Sequence, residues 1–403
     1  MRLLLIPENN SLSHIAKCVT VMELLESAGH EIHLAVGKKH SNFLDRLGIA
    51  HHVLPDIQET DHGGFPSFKW FSKVETITAC IREEVALIDQ IRPDRVLGVF
   101  RFTLFASAQI AGVPYDSLIC GCMTPQSQEV LGFAERDEGR ELQRTYLESF
   151  YRFAGMKLGL ALKNYGLEGI DDIRYALKGE RTYLWDFPEF MPIPPDPHVI
   201  HLGPISSRRW PYDRMNLDSI LDSQYPIAVL SFGTCVTDRA IVCRMVDILL
   251  QLRYKVIVAA GGQREMLNIR KMDPQVVLLR FAPLNEILPH ASLLVTHGGQ
   301  MTVFEALQNE VPTFVMPFQP EQAHNGVCLE RIGCGDRLIP STHFTGFSDD
   351  YVKVFNRLSD VEIKARINRV PSNGETRKNL KKMKDVIDRY QGADTLVKLL
   401  EEK

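Results

Sequence analysis

A chain of 403 residues is long enough for two or three domains, each burying a core of its own. With 46 Lys and Arg against 50 Asp and Glu, a net charge of -4, 45% hydrophobic and 24% charged residues, the composition excludes disorder, collagen-like repeats and a generally basic nucleic-acid binder. Eight cysteines without a C-x-x-C pair point to a reducing, cytoplasmic setting and to thiols used as small apolar groups, Cys120 and Cys122 included.

The opening run from Leu3 to Ile6 meets Pro7 too early for a signal peptide and predicts a buried first strand. No later stretch approaches the roughly 20 apolar residues of a membrane span. Ile15, Cys18, Val19, Met22 and Leu25 fall on one face of a helix that stops at Gly29, and a second strand begins at Glu31. The Gly- and Pro-punctuated loop 62–71 carries Phe65, Phe68 and Trp70, a candidate wall for an apolar or aromatic acceptor, or equally a loop tucked onto the core. Residues 95–100 predict a strand, followed by a helix through Ala111 and a turn at Gly112. The aromatic stripe between Leu142 and Leu162 has helical spacing and predicts a core-facing helix.

Between 186 and 226 eight prolines remove backbone donors, and the stretch reads as a linker. Beyond it the alternation of apolar runs and helical segments restarts at Ile227, Val256 and Leu293. The class is α/β: two doubly wound, Rossmann-like domains facing each other, with ligands expected in the cleft beyond the carboxyl ends of the strands. The bounds read as 1–205 for the first domain, 206–225 for the linker and 226–385 for the second, with a helix at 386–403 packing back on the first. The basic run from Lys378 to Arg389 reads as a solvated helix face.

The sharpest motif follows the strand at 293–296. His297-Gly298-Gly299 leads into a helix carrying Val303, Phe304 and Leu307, so glycine amides and a helix N-terminus meet at a strand end. Such amides and the positive end of the helix dipole can cradle a phosphate, although Thr302-x-x-Glu305 can also be a capping box that merely starts the helix. The motif has company. Phe281-Ala282-Pro283-Leu284, His297-Gly298-Gly299, Thr302, Glu305-Ala306-Leu307, Val311-Pro312, Pro317, Glu321-Gln322 and Asn325 resemble, in order and nearly in spacing, the donor-binding signature of family 1 glycosyltransferases of the GT-B fold. Ser231-Phe232-Gly233-Thr234, Ala260-Gly261-Gly262, His201-Leu202-Gly203-Pro204 and Ser13-His14 add to the resemblance.

The resemblance implies an inverting transfer of a hexose-type sugar from a UDP- or dTDP-linked donor to a small-molecule acceptor. Phe281 would stack on the pyrimidine, the backbone of Ala282 would read its edge, and Glu305 would accept from the ribose hydroxyls. His297, Thr302 and the amides of Gly298 and Gly299 would hold the diphosphate, with Gly233 and Thr234 closing from the facing loop. Glu321 and Gln322 would bind sugar hydroxyls. The nucleotide sugar is a co-substrate, no cofactor is implied, and the absence of any Asp-x-Asp fits a donor site without a metal ion. The implied base is His14.

Three positions depart from the family pattern. Met301 replaces an Asn usual in plant members, Leu284 replaces a common Gln, and Val99 stands where the Asp partner of the base is expected. Glu8 is the nearest substitute for that Asp, and Arg101 can be read as a contact to an anionic part of the acceptor. The rival expectations are a nucleotide-sugar hydrolase on the same fold and a non-catalytic, nucleotide-sugar-binding partner of a transferase. No nucleic acid partner is expected, and the oligomeric state is not encoded in these patterns.

Overall fold

Leu3, Leu4, Leu5 and Ile6 are fully buried, as a run apolar on both faces must be when helices cover both sides of a parallel sheet. They form the middle of β1 (Arg2–Pro7) in a computed structural model that describes residues 1–8, 11–55, 73–207, 216–233, 239–261, 273–337 and 348–402. The chain divides into two compact units. Met1–Glu129, Thr145–Arg209 and Tyr390–Lys403 make the first, and Val130–Arg144 with Trp210–Arg389 make the second.

The first unit carries β1, β2 (Glu31–Gly37), β3 (His52–Leu54), β4 (Arg95–Val99), β5 (Tyr115–Ile119), β6 (Thr182–Leu184) and β7 (Val199–His201). All pairs are parallel, in the order β3-β2-β1-β4-β5-β6-β7. The order reverses between β1 and β4. In a doubly wound sheet the connections then leave to opposite faces and open a crevice at the carboxyl ends of those two strands. One face is filled by Leu4, Ile6, Leu87, Ile88, Val96, Leu104 and Ala108, where wholly withdrawing a Val, Leu or Ile side chain from water contributes about 1.5–3 kcal/mol.

The second unit repeats the plan with β8 (Ile227–Ser231), β9 (Lys255–Ala259), β10 (Val276–Leu279), β11 (Ala291–Thr296), β12 (Thr313–Val315) and β13 (Gly335–Arg337). Their order is β10-β9-β8-β11-β12-β13, again all parallel, and the reversal lies between β8 and β11. Both units are therefore parallel α/β sheets of the expected class.

Three expectations need correction. The proline-rich stretch is not a linker over its first half: Phe187, Phe190 and Met191 are fully buried, and Val199–His201 is a strand of the first sheet. Proline excludes ladder bonds at its own position but not burial of the side chains between prolines. Residues 130–144, expected in the first domain, group with the second unit, where the buried Arg337 guanidinium donates to the Gly132 carbonyl at 2.9 Å and to Asp137 at 3.1 Å. The stripe on the helix Arg140–Lys163 is split. Tyr151, Ala154 and Leu158 are buried, whereas Phe153, Met156 and Leu160 are exposed.

The helix Gly392–Glu401 lies in the first unit and packs along the helix Leu12–Ser27. Tyr390 sits so close over Gly203 that any Cβ there would collide with it, and Arg181 donates to the Leu399 carbonyl at 2.5 Å. Among the described residues no helix is long and apolar enough to cross a membrane.

Candidate active site

In the first unit, Ser11 caps the helix Leu12–Ser27 by accepting from the Ser13 amide at 3.3 Å, which puts His14 in the first turn. His14 Nδ1 lies 3.3 Å from Glu8 Oε2, with only 14% and 8% of the two side chains exposed. A carboxylate can only accept, so the pair assigns the proton to Nδ1 and leaves Nε2 as the basic nitrogen. Burial lowers the His14 pKa below the ordinary imidazole value, opposed by the hydrogen bond and charge of Glu8 and reinforced by the charge of Lys17. The ring is thus neutral near pH 7, the state required of a general base.

Aromatic rings surround it. Phe100 stacks on His14 with centroids 5.3 Å apart and Trp185 lies at 5.4 Å, while Lys17, itself buried, holds its Nζ 4.6 Å from the Trp185 centroid. Phe100 and Trp185 were not legible as site residues, because they follow different strands, β4 and β6, that only the sheet order brings to His14; Lys17, one helical turn after His14, was not singled out either. Arg101 is corrected. It is 2% exposed and donates to the fully buried Glu84, Nε at 2.7 Å and Nη2 at 2.6 Å, so its guanidinium is committed to the interior and not to an acceptor.

In the second unit the ends of β8 and β11 converge on one imidazole. A Cβ on Gly233 would lie 2.9 Å from His297 Cε1, and one on Gly299 would lie 2.6 Å from His297 Nε2. Only residues without a Cβ fit on these two sides, and Gly233 also has φ +59°. His297 Nδ1 approaches the Ser231 carbonyl at 3.4 Å, and burial pushes the His297 pKa down to about 4 although that carbonyl raises it. With Nδ1 donating to Ser231, a neutral His297 presents Nε2 as an acceptor. Donation to a diphosphate, the role expected of it, therefore requires a second proton.

The helix Gln300–Gln308 starts from Gly299 with no side-chain cap, so Thr302-x-x-Glu305 is not a capping box; Thr302 lies within the first turn. First-turn amides have no partner inside a helix, and their unsatisfied donors with the dipole favour an anion. Phe281 and Ala282 are partly exposed just beyond β10, with the Arg280 guanidinium 5.8 Å from the Phe281 ring centroid. Glu305 is partly exposed one turn after Met301.

Gly298 packs against the helix Pro320–Arg331, where a Cβ would meet the Gln322 carbonyl oxygen at 2.6 Å. Asn325 Nδ2 donates to the Gly298 carbonyl at 2.8 Å and to Glu321 Oε1 at 3.1 Å, tying the two halves of the motif together. Gln322 is 3% exposed, and its Oε1 accepts from the Phe318 amide at 3.0 Å, an anchor for the turn before the helix. Thr234, Phe65, Phe68 and Trp70 lie outside the described residues.

Two parallel α/β units of this topology, the second with a glycine turn feeding a helix N-terminus, make the architecture of GT-B glycosyltransferases. The model of the glycosyltransferase family 28 C-terminal domain matches residues 238–345. The PGL/p-HBAD biosynthesis rhamnosyltransferase of Mycobacterium bovis (strain BCG / Pasteur 1173P2) is 24% identical over 345 residues, 83% of this chain and 76% of that protein. Among solved structures, the spinosyn rhamnosyltransferase SpnG complexed with thymidine diphosphate superimposes with a TM-score of 0.73 at 16% identity, covering 100% of both chains. The kitacinnamycin glycotransferase gives 0.73 at 16% identity over 99% of this chain and 98% of its own. The chain is a glycosyltransferase with the GT-B fold. The matched domain model is that of family 28, whereas the motifs resemble family 1; GT-B glycosyltransferase is the statement common to both.

Proposed function

We propose that the protein transfers a hexose-type sugar from a pyrimidine nucleoside diphosphate, with inversion, to a hydroxyl of a small-molecule acceptor. The observation that carries this reading is the His14–Glu8 pair at 3.3 Å at the end of β1, the place where a GT-B enzyme needs a base. The similarity to SpnG, solved with thymidine diphosphate, favours a dTDP-linked donor over a UDP-linked one. The similarity to two rhamnosyltransferases favours a deoxyhexose as the sugar.

The acceptor hydroxyl gives its proton to His14 Nε2 as its oxygen attacks the anomeric carbon. The bond from that carbon to the diphosphate oxygen breaks, and inversion follows from attack on the face opposite the leaving group. Glu8 stabilises the imidazolium that forms. The departing diphosphate is stabilised by the N-terminus of the helix Gln300–Gln308, the amides of Gly298 and Gly299, and His297 once protonated. Phe281 and Ala282 bind the base, Glu305 the ribose, and Glu321 the sugar hydroxyls. Gln322 serves that pocket by anchoring the turn that presents Glu321.

The test is turnover of dTDP- and UDP-linked hexoses and deoxyhexoses against a panel of hydroxylated acceptors, with the anomeric configuration of the product read by NMR. Inverted product and a His14→Ala rate lower by about 10²–10⁴, the usual contribution of a general base, are expected. Retained configuration, or full transfer by His14→Ala, would overturn the mechanism. Donor turnover that ignores every acceptor would make the protein a hydrolase.

A further inference from the structure

Among the described residues, Phe100 breaks a conformational rule that the other non-glycine residues with positive φ respect. Among the described residues, four non-glycines have positive φ: Arg92, Phe100, Arg253 and Glu310. Arg92 directly follows a helix end, and Arg253 and Glu310 each stand two residues past one, where the left-handed conformation is ordinary. Phe100, with φ +56°, instead directly follows a strand. A bulky aromatic residue is held in that region only when its surroundings over-determine it, and such outliers cluster at functional sites.

The surroundings are explicit. The Phe100 amide donates to the Leu118 carbonyl at 3.1 Å, and the Phe102 ring meets the Phe100 ring edge-on at 5.4 Å. The next residue, Arg101, is clamped by Glu84 from the helix Val74–Ile91, and the same carboxylate accepts from Thr103 Oγ1 at 2.6 Å and Ser107 Oγ at 2.5 Å. Four donors on one buried carboxylate fix the whole turn from β4 into the helix Leu104–Ala111. The left-handed turn sends Arg101 inward to this clamp while the Phe100 ring lies 5.3 Å from His14 at an interplanar angle of 22°.

We propose that Phe100 is a positioning residue for His14, its ring fixed from behind by the Glu84–Arg101 clamp and limiting both the rotation and the hydration of the imidazole. The inference rests on the reading of His14 as the base. His14 is tied to Glu8 by one contact at 3.3 Å, which leaves the tilt of the ring about that contact to its aromatic neighbours.

The test compares Phe100→Asn, a residue at ease in the left-handed region, with Phe100→Tyr, which keeps the ring. Two readouts are taken on the full-length protein: the His14 titration by NMR, its signal assigned with His14→Ala, and kcat against donor KM. With Phe100→Asn the His14 midpoint should move up as water reaches the ring, and kcat should fall on the order of tenfold, a misplacement effect, at unchanged donor KM. Phe100→Tyr should restore both. A folded Phe100→Asn protein with an unmoved His14 midpoint would overturn the proposal, as would a moved midpoint with unchanged kcat while His14→Ala is inactive. Full activity of His14→Ala would instead remove the base reading itself, and the titration shift alone would then record the ring contact.

Discussion

The backbone amide of Glu8 donates to the carbonyl of Val99 at 2.8 Å, joining the ends of β1 and β4 at the reversal of the first sheet. The Val99 side chain is buried in the sheet. Across that hydrogen bond Glu8 reaches His14 at 3.3 Å. Glu8→Gln should keep the fold and lower kcat by on the order of 10²–10⁴, the usual general-base contribution, because an amide can no longer stabilise an imidazolium. The sign of the pH effect follows from the causes: Glu8 raises the His14 pKa against burial, so its loss moves the acid limb of the rate profile to lower pH. Phe100→Asn moves the same limb the other way. A limb that moves up in Glu8→Gln would refute the pairing.

His297 sets a second pH dependence. Its pKa is pushed down to about 4 in the folded protein from an ordinary 6.5, so the unfolded chain binds the proton more tightly. Stability supplied by the neutral ring is fully present above about pH 6.5 and is lost as pH falls toward 4, by up to about 3 kcal/mol for a shift of this size. Chemical denaturation of wild type and His297→Asn between pH 7.5 and 4.5 should show a steeper loss in wild type. Parallel curves would refute this environment for His297. Because Nδ1 faces Ser231, donation to a donor diphosphate should also be accompanied by proton uptake. Calorimetry of dTDP-sugar binding in buffers of different ionisation enthalpy measures it, and His297→Asn should abolish it.

Much of this was legible in the residues. The runs at Leu3–Ile6 and Ile227–Leu230 are apolar at every position, a pattern only a sheet buried on both faces explains, and the helix Leu12–Ser27 declared its buried face through Ile15, Cys18 and Val19. The glycines of the second unit were legible as a motif, but not their reason: Gly233 and Gly299 make room for His297 from strand ends that are 66 residues apart in the case of Ser231 and His297. Proline count misled at Phe187 and Phe190, since it reports missing donors and not where side chains go. Arg101 misled for a related reason. A charged residue near a strand end looks available until its partner, Glu84, is brought up by a helix whose position only the fold determines.

The Glu84 clamp makes a stability prediction. Glu84→Gln leaves a buried guanidinium without its countercharge and should destabilise the protein by about 3 kcal/mol or more, read as a lower denaturation midpoint. Removing both charges together, in Glu84→Leu with Arg101→Met, should cost less than the single change, because no buried charge is left unpaired. A double variant that loses as much as the sum of the singles would show that the pair is not coupled.

Glu321 is preset by a neighbour, and the consequence is measurable. Asn325 holds Glu321 Oε1 at 3.1 Å and the Gly298 carbonyl at 2.8 Å with the same amide nitrogen, so one side chain sets both Glu321 and the Gly298 turn. Glu321 lies partly exposed in the first turn of its helix, and Glu321→Ala should leave the melting temperature nearly unchanged. Its effect belongs in donor binding: loss of a charged hydrogen-bond acceptor, about 1.5–3 kcal/mol, corresponds to roughly a ten- to hundredfold rise in donor KM. Asn325→Ala should do more, raising donor KM and also lowering stability by about 1–3 kcal/mol, since the buried Gly298 carbonyl loses its donor. Donor KM measured across several sugars separates the cases. Unchanged kinetics of Glu321→Ala with every donor would remove it from the sugar pocket, and a rise shared equally by all sugars would mean that Glu321 acts on the diphosphate turn through Asn325.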